Sequence, residues 1–519
     1  MALPYKIYKD TFMNVLFFHT YQENSAIFEI QAEIILKHLD AGDFVTIVFD
    51  NKKIVASHMK YSYTRFKKYQ NQLYFKKMLD LFSSNDNRFE VVPYILSGAT
   101  KEDLPPFENI EDLKRFKYKG INIGMPIASS VISNLRDHEF NTINNRRNIL
   151  REFEVATSVL VTIEFYIKEK NIDYVYVYNG RLAAFAPVVI FCQKNKIPFS
   201  TYEFTGNLNK YHIVLNTIPH DISYRNDEIY NLWRNENFFY DEKIKIASNF
   251  FERSRSGTLD TEDFTSYQNK NKKILLDPAK EIITFFNSSI DEFASVPGWE
   301  KYIFLFKNEV EAILAICKHY EKDDSKQFIL RIHPNLKFLN NTQTKNLKRL
   351  ESLENLIIYP AESDCFSYQL IDISDKIITF GSTIGVEACY FGKVSICLGL
   401  SLYEYLDVAY IPQSTNELFA LIDNKDLTPK PKENSYLYGF AIMTFGEDFL
   451  YRKKGVYTSD YFSFRGKEVL ISLLKKAFSI QMLKNIFFML NPKFYKKMKY
   501  PEYRKTFRKK ISNLIKLKV

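Results

Sequence analysis

A histidine followed by a proline ends an apolar stretch in the second half of the chain, where its imidazole could bind an anion. Residues 328–332 (FILRI) predict a buried strand, and His333-Pro334 follows it directly. Pro334 prevents the strand from continuing and fixes a turn. Open α/β sheets bind ligands at the carboxyl ends of their strands, so His333 is placed to donate to a phosphate. Arg331 lies two residues earlier in the strand, on the same face of the sheet and further from its edge. The alternative is a histidine that is only a hydrogen-bonded structural residue.

A second group with anion-binding chemistry lies further along the chain. Residues 376–380 predict another buried strand, Gly381 permits a sharp turn, and Ser382 and Thr383 precede a predicted helix. Backbone N–H groups and hydroxyls at such a helix start can bind phosphate. Glu387 lies one helical turn further on, where a carboxylate could reach ribose hydroxyls. Alternatively, the hydroxyls only cap the helix and the carboxylate only complements its dipole.

Polar residues also follow two predicted strands in the first half of the chain. The strand 172–178 ends in a turn with Asn179 and Arg181 on either side of a glycine, and the strand 197–203 ends at Glu203. Arg181 could bind a phosphate or an acidic sugar, and Glu203 could act as a general base. The structural alternative is a good Asn-Gly turn and an arginine that pairs at the surface.

Two further hydroxyls, Ser288 and Ser289, follow the predicted strand 281–286. They could face a cleft between domains and contact substrate. A plain helix cap with an acidic first turn explains them equally well.

The elements that must position these residues alternate between strand and helix along most of the chain. The opening, with a strand at 14–18 and a helix at 26–39, is typical of a doubly wound α/β sheet, and a similar series begins at residue 281. The polar stretch 225–271 between them predicts a linker. Residues 440–464 predict an irregular aromatic-rich segment, and 468–490 predict a long amphipathic helix.

Composition limits the class of protein. With 519 residues and 46% hydrophobic content, two or three domains are expected. The five scattered cysteines show no metal-ligand spacing, which predicts reduced cysteines and no zinc site. No secretory leader or bilayer-spanning segment is recognisable, so a cytoplasmic location is predicted, with membrane contact at most peripheral.

Several short motifs in the second half of the chain resemble the donor half of capsule-polysaccharide glycosyltransferases of GT-B fold. That group includes bacterial Kdo transferases and polysialyltransferases. The resemblance covers about residues 170–400 and is carried by Arg331-Ile332-His333-Pro334, Gly381-Ser382-Thr383, Glu387-Ala388 and Gly392-Lys393.

This resemblance implies two Rossmann-like domains with a helical, basic C-terminal tail. The implied boundaries are an acceptor-side domain at 1–265, a nucleotide-sugar domain at 272–427, a linker with helices packing back on the first domain at 428–490, and a basic tail at 491–519.

The resemblance also implies a reaction, the transfer of a sugar from a nucleotide-sugar donor to a polysaccharide or lipid-linked acceptor. Glu203 and His333 are then the candidate catalytic residues. Donor binding is assigned to Arg331, His333, Ser382, Thr383 and Glu387. Possible substrate-binding residues are Asn179, Arg181, Ser288 and Ser289. If Glu203 is not the base, the further candidates are Asp50, Asp137 and Glu23. No Asp-x-Asp motif occurs in the chain, so neither a metal nor another cofactor is expected.

Three rival functions share the same layout. Nucleotide-sugar 2-epimerases have a similar His-Pro arrangement. Teichoic-type glycerophosphotransferases would need a second histidine in the first domain, for which His19, His58 and His138 are available. A non-catalytic subunit of an envelope-polysaccharide machine would keep the fold without turnover.

The tail concentrates the positive charge of the chain. Residues 491–519 carry eleven Lys and Arg residues against one acidic residue, Glu502, and these alternate with aromatic and aliphatic residues. Such a segment is typical of peripheral binding to an anionic membrane surface, here the inner face of the cytoplasmic membrane. A solvated tail is the alternative, and nucleic acid is not expected as a partner because no nucleic-acid-binding motif accompanies the charge.

Overall fold

The computed structural model shows a mixed α/β protein, in two compact units. One unit contains the described residues up to 49 and from 87 to 449, and the other contains those at 75–83 and 450–470. The described residues are 12–19, 25–49, 75–83, 87–205, 209–259, 268–270, 272, 274, 277, 279–299, 302–453 and 461–470.

Strands and helices alternate through most of the first unit. The strands, in chain order, are β1 (Asn14–Phe18), β2 (Phe44–Phe49), β3 (Phe89–Pro93), β4 (Lys117–Tyr118), β5 (Ile121–Asn122), β6 (Tyr174–Tyr178), β7 (Phe199–Phe204), β8 (Lys210–Leu215), β9 (Glu281–Phe286), β10 (Lys326–Arg331), β11 (Leu356–Tyr359), β12 (Lys376–Thr379), β13 (Val394–Cys397), β14 (Glu447–Asp448), β15 (Arg452–Lys453), β16 (Tyr461–Phe464) and β17 (Lys467–Leu470). The helices are α1 (Ser25–Ala41), α2 (Ile110–Arg115), α3 (Gly124–Leu135), α4 (Arg146–Glu169), α5 (Ala186–Asn195), α6 (Ile222–Trp233), α7 (Tyr240–Ser256), α8 (Ile290–Ala294), α9 (Glu309–His319), α10 (Thr342–Leu347), α11 (Ser367–Ile373), α12 (Ile384–Tyr390), α13 (Thr415–Asp423) and α14 (Lys432–Thr444).

The first sheet has the strand order β14-β8-β7-β6-β1-β2-β3 among the described residues. The strands from β7 to β3 run parallel, and β8 and β14 add an antiparallel edge. Strand β6 (YVYVY) is buried along its whole length, as expected for a parallel sheet with both faces covered. The strand order reverses between β1 and β6, and such a reversal opens a crevice at the carboxyl ends of the strands.

The second sheet has the order β11-β10-β9-β12-β13, and all of its pairings are parallel. Its strand order reverses between β9 and β12, which places the residues after β9, β10 and β12 at one edge. The predicted α/β class with parallel sheets is confirmed. The predicted domain boundaries remain predictions.

The interpretation of residues 225–271 as a linker is wrong where the segment is described, because helices α6 and α7 cover most of it. Helix α7 buries Ala247, Phe250 and Phe251, which follow helical spacing and share one face. Phe251 joins a core cluster with Tyr390. The prediction failed because few apolar residues, placed at the right interval, are enough to dock a largely polar helix.

The prediction of an irregular segment at 440–464 also needs correction. Helix α14 begins within the predicted linker-and-helix segment 428–490 and extends into the segment predicted to be irregular. Its buried residues Tyr438, Phe440 and Ala441 belong to a helix that packs against α6 and α7. Aromatic residues here fill a helical core instead of marking irregular structure.

The second unit contains the antiparallel sheet β15-β16-β17, and residues 75–83 are helical. Strands β16 and β17 are joined by Arg465 and Gly466, whose φ angles of 45° and 80° suit a tight two-residue hairpin turn. The predicted helix at 468–490 is therefore wrong at its start, which is a strand, and residues 471–490 lie outside the described residues. The basic tail at 491–519 also lies outside them.

Two sequence predictions concern the chain as a whole. All five cysteines are buried and free of disulfides, as predicted. Among the described residues, no helix combines the length and the apolar character needed to cross a bilayer.

Candidate functional site

A cavity of about 340 Å³ lies at the carboxyl edge of the second sheet, beside the point where its strand order reverses. Residues after three neighbouring strands line it, and five of the predicted donor-binding residues are among them. Its polar lining on this side consists of Asn287 after β9, Arg331 and His333 at the end of β10, Ser382 and Thr383 after β12, and Glu387 on α12.

Helices that the sequence did not place here also line the cavity. Helix α7 contributes Phe250, Arg253 and Ser254, and α14 contributes Tyr438 and Ile442. The remaining lining residues are Gly257, Leu259, Gln268, Phe286, Pro334, Ser367, Tyr368 and Ile384. The lining therefore combines hydrogen-bonding groups with aromatic and aliphatic side chains, as a site for a small molecule with a polar and an apolar part does.

The imidazole of His333 is held in one tautomer. His333 opens a 3-10 turn, Pro334–Leu336, and its Nδ1 accepts a hydrogen bond of 3.1 Å from the backbone N–H of Asn335. Burial, together with the nearby positive charges of Arg331 and Arg136, lowers the pKa of His333 to about 4. The ring is therefore neutral at pH 7, and because Nδ1 accepts, Nε2 carries the proton and is a hydrogen-bond donor.

Arg331 is almost completely buried beneath the histidine. Its guanidinium donates to the backbone carbonyls of Ile332, Pro360 and Ser363, at 3.1, 2.6 and 3.2 Å respectively. These bonds hold a permanent positive charge at the floor of the cavity. Arg331 can thus attract an anion electrostatically while its donors fix the turns around the site.

The turn after β12 requires a glycine and is braced by a tyrosine. Gly381 has a φ of +93°, and a Cβ atom there would lie 2.2 Å from the carbonyl oxygen of Leu400. The hydroxyl of Tyr403 donates to the carbonyl of Ser382 at 2.6 Å. Ser382 Oγ accepts only a long bond of 3.4 Å from Ile384 N–H, and Thr383 makes no capping bond. Both Ser382 and Thr383 line the cavity.

Glu387 lies in the wall of the same cavity but is 5% exposed. The Tyr368 hydroxyl donates to its carboxylate, and the Thr383 side chain bonds it as well. Burial raises the pKa of Glu387 from 4.5 to about 7, against the lowering effect of these two bonds. The carboxyl group therefore gains or loses its proton close to neutral pH.

We expect Glu387→Gln to flatten the dependence of stability on pH. Because the folded-state pKa is above the unfolded value, the folded protein binds more protons between pH 4.5 and 7, and its stability falls as pH rises through this window. A pKa shift of this size corresponds to a loss of about 3 kcal/mol in the free energy of unfolding across the window. Urea unfolding of wild type and Glu387→Gln between pH 4.5 and 8 measures it. The exposed Glu354→Gln is the control, and parallel curves for wild type and Glu387→Gln would contradict the expectation.

The predicted residues of the first half lie at the carboxyl edge of the first sheet and do not line this cavity. Asn179 has a φ of 58°, and its Nδ2 donates to Glu203 at 2.6 Å. Glu203 also accepts from the backbone N–H of Phe204 at 3.1 Å. Burial raises the pKa of Glu203, while its bonds to Asn179 and Tyr178 oppose the shift. A carboxyl group with a raised pKa is suited to take up a proton.

Arg181 and the two serines form contacts within the protein. The Arg181 guanidinium donates to Ser129 and Ser133 on α3, both at 3.1 Å, and to Ser295 Oγ after α8 at 2.9 Å. Ser288 is buried, and its hydroxyl donates to the carbonyl of Phe380 at 3.0 Å. Their hydrogen bonds are therefore those of residues that join elements of the fold.

Ser289 belongs to an ion-pair cluster that the sequence did not predict. Arg136, which follows α3, pairs with Asp291 and donates to Ser289 Oγ at 3.0 Å. The neighbouring Asp137, a reserve base candidate, accepts from the N–H and hydroxyl of Thr342 at 3.2 and 3.1 Å. Asp137 is thus engaged in fixing the start of α10.

The remaining candidates divide into described and undescribed residues. Asp50, Glu23 and His58 lie outside the described residues. His19 is buried, with Nδ1 2.8 Å from Gln31 Oε1, and burial lowers the pKa of His19 to about 3. Nε2 of His138 lies 3.9 Å from Oε1 of Glu139.

Sequence reasoning missed Asn287 and the helix α7 residues of the cavity. The side chain of Asn287 accepts the backbone N–H of His333 at 2.7 Å, so it fixes the position of the histidine. Asn287 directly follows β9, and its place at the end of the strand that pairs with the strand of His333 is the signal that could have identified it.

No protein-family model and no curated protein matches this chain. Similar solved structures include the KpsC β-Kdo 2,4-transferase of Thermosulfurimonas dismutans, with 11% identity and a TM-score of 0.33 over 56% of this chain and 82% of that chain. They also include UDP-GlcNAc 2-epimerase from Neisseria meningitidis bound to UDP-GlcNAc, with 12% identity and a TM-score of 0.28 over 83% and 97% of the two chains. The UDP-GlcNAc 2-epimerase of Methanocaldococcus jannaschii, in complex with UDP-GlcNAc and UDP, has 14% identity and a TM-score of 0.25 over 84% and 100%. Likenesses at these scores assign neither a family nor a function.

Proposed function

We propose that this protein is a metal-independent glycosyltransferase that uses a nucleotide-activated sugar to build a surface polysaccharide or glycolipid. The observation that supports it is the joint lining of one cavity by His333, Ser382, Thr383 and the buried Arg331, at the strand-order reversal of the second sheet. Hydroxyls, a neutral imidazole N–H and a fixed positive charge are a complete set of partners for a phosphate group.

The proposed chemistry follows from the charge that develops when the sugar leaves its nucleotide. The departing phosphate gains negative charge, and fixed donors aimed at it lower the barrier. His333 supplies its Nε2–H, and Ser382 and Thr383 supply hydroxyl groups. Arg331 adds electrostatic attraction from below. The aromatic side chains of the lining, Phe250 and Tyr438, would accommodate the nucleoside.

For the acceptor hydroxyl we propose Glu203 as the general base. Its raised pKa favours proton uptake, and Asn179 holds it at the carboxyl edge of the first sheet. The basic tail at 491–519 is proposed to hold the enzyme at the inner face of the cytoplasmic membrane, near a polysaccharide or lipid-linked acceptor.

We expect one nucleotide among CMP, CDP, UDP, GDP and dTDP to raise the melting temperature of the wild-type protein. A ligand that binds only the native state stabilises it by about 2.7 kcal/mol at a hundredfold excess over its Kd. Thermal-shift measurements with wild type and Ser382→Ala/Thr383→Ala identify the nucleotide and locate its site. A control variant, Ser363→Ala, changes a hydroxyl near the site that does not line the cavity. If no nucleotide shifts the wild type, the proposed function is wrong and a non-catalytic subunit becomes the better hypothesis.

Product analysis then separates transfer from its rivals. With the matching nucleotide sugar, a transferase releases nucleotide only when acceptor is present, and EDTA has no effect. An epimerase converts the donor sugar without any acceptor. A glycerophosphotransferase releases nucleotide from CDP-glycerol and leaves nucleotide sugars intact. Either of the last two outcomes would replace the transferase assignment.

A further inference from the structure

A fully buried carboxylate lies behind the cavity and does not line it. Glu309, the first residue of α9, is 0% exposed. Its Oε1 accepts from Asn287 Nδ2 at 3.1 Å and from Gln343 Nε2 at 2.7 Å. Its Oε2 accepts from the backbone N–H of Ser288 at 3.3 Å. Three N–H groups thus converge on one carboxylate within the core.

This network reaches the histidine of the cavity through a single side chain. Asn287 donates to Glu309 with its amide nitrogen and, with its amide oxygen, accepts the backbone N–H of His333 at 2.7 Å. Glu309 therefore fixes which way the Asn287 amide points. A reversed amide would present N–H to N–H at His333 and lose that bond.

The same network also reaches the turn after β12, which carries the hydroxyl groups of Ser382 and Thr383. Ser288, whose N–H is held by Glu309, donates its hydroxyl to the carbonyl of Phe380, the residue before Gly381. Gln343 donates to the carbonyl of Ser288 at 2.7 Å as well as to Glu309. The ends of β9, β10 and β12 are thereby joined through one buried group.

A carboxylate in this position is costly for stability. Burial raises the pKa of Glu309 from 4.5 to about 7, although all three hydrogen bonds oppose the shift. An apolar side chain of similar volume would usually be tolerated better in a core. The presence of an ionisable group here is explained if the position serves the neighbouring site.

We propose that Glu309 is a positioning residue, which through Asn287 and Ser288 holds His333 and the Gly381–Thr383 turn in the geometry that binds the nucleotide phosphate. This inference rests on the proposed function for the identity of the ligand. The positioning itself is a property of the free protein and can be measured without any ligand.

The first test uses Glu309→Gln, which keeps the shape of the side chain but replaces one oxygen by an N–H donor. Whichever way this amide turns, it meets an N–H group, so the network loses a bond. We expect the Kd of the nucleotide found by thermal shift to rise about tenfold, measured by calorimetry on the full chain. Ile313→Val, on a buried position of the same helix, is the control for lost stability alone and should leave the Kd unchanged.

A double-variant cycle tests the route of the effect. If Glu309 acts through Asn287, the losses of affinity in Glu309→Gln and Asn287→Ala are not additive. The double variant then binds the nucleotide about as weakly as the single variant with the lower affinity. Additive losses, or an unchanged Kd in Glu309→Gln, would overturn the proposal.

A second measurement is independent of nucleotide binding. With ¹⁵N-labelled histidine, the wild-type protein should show His333 as one neutral tautomer protonated at Nε2, its signals identified by their absence in His333→Ala. We expect Glu309→Gln to shift the backbone N–H signal of His333, because the network holds the bond from this N–H to Asn287, and we expect Ile313→Val to resemble wild type. An unchanged His333 in Glu309→Gln overturns the positioning role. A changed His333 in a protein that binds no nucleotide supports the positioning role and rejects the proposed function.

Discussion

Replacing His333 by alanine is expected to lower kcat/KM for sugar transfer by about 10²–10³-fold, the usual effect of removing one preorganised donor from developing negative charge. The structure fixes the donor as Nε2–H, because Nδ1 accepts the Asn335 N–H at 3.1 Å and burial keeps the ring neutral. Initial rates with the matching nucleotide sugar, at substrate concentrations around KM, measure the effect.

Two amide variants test which nitrogen is used. Glutamine places its amide N–H close to the position of Nε2, and asparagine places its polar atoms close to Nδ1. His333→Gln should therefore retain about a tenth of the wild-type kcat/KM, whereas His333→Asn should resemble His333→Ala. Equal losses in the two amide variants, or a better result for asparagine, would show that Nε2–H is not the donor.

The parts of this cavity that could be predicted are the parts that depend on local sequence. A buried strand, a proline that ends it and a glycine that turns the next one are each written in a few neighbouring residues. Parallel strands then bring their carboxyl ends to one edge, so His333, Ser382 and Thr383 could be placed together before the structure was known. The structure puts all three in the lining of one cavity.

The parts that could not be predicted depend on contacts between distant residues. Glu309 reaches Asn287 across 22 positions and Gln343 across 34. Its position in a helix start is, from sequence, indistinguishable from that of any acidic first-turn residue. Arg181 was a candidate either for binding a ligand or for pairing at the surface, but the partners that it has in the structure, Ser129 and Ser295, lie 52 and 114 positions away. Neither set of partners could be inferred from spacing.

Helix α7 shows how composition misled the prediction of domain organisation. Its sequence, YDEKIKIASNFFERSRS, is mostly polar, and this favoured a linker. A helix needs only one apolar stripe to dock, and Ala247, Phe250 and Phe251 supply it. The same helix also supplies Phe250 and Ser254 to the cavity, so the segment interpreted as a linker is part of the candidate site.

We expect Phe251→Ala to destabilise the protein by about 3–5 kcal/mol, as for other large aromatic residues removed from a core. Phe251 is 0% exposed, and its ring stacks on Tyr390 of α12 with centroids 4.2 Å apart and planes at 12°. Helix α12 follows directly after Ser382 and Thr383, so the loss of this contact removes support beneath the cavity as well. The free energy of unfolding in urea measures the effect.

Phe239→Ala is the matched control, because it removes the same type of side chain at the start of the same helix. Phe239 is 82% exposed, and an exposed position of this kind usually changes stability by less than about 0.5 kcal/mol. A difference of several kcal/mol between the two variants means that α7 is packed as a core element. Equal, small effects would mean that α7 docks only weakly, and the interpretation of this segment as a linker would then be restored.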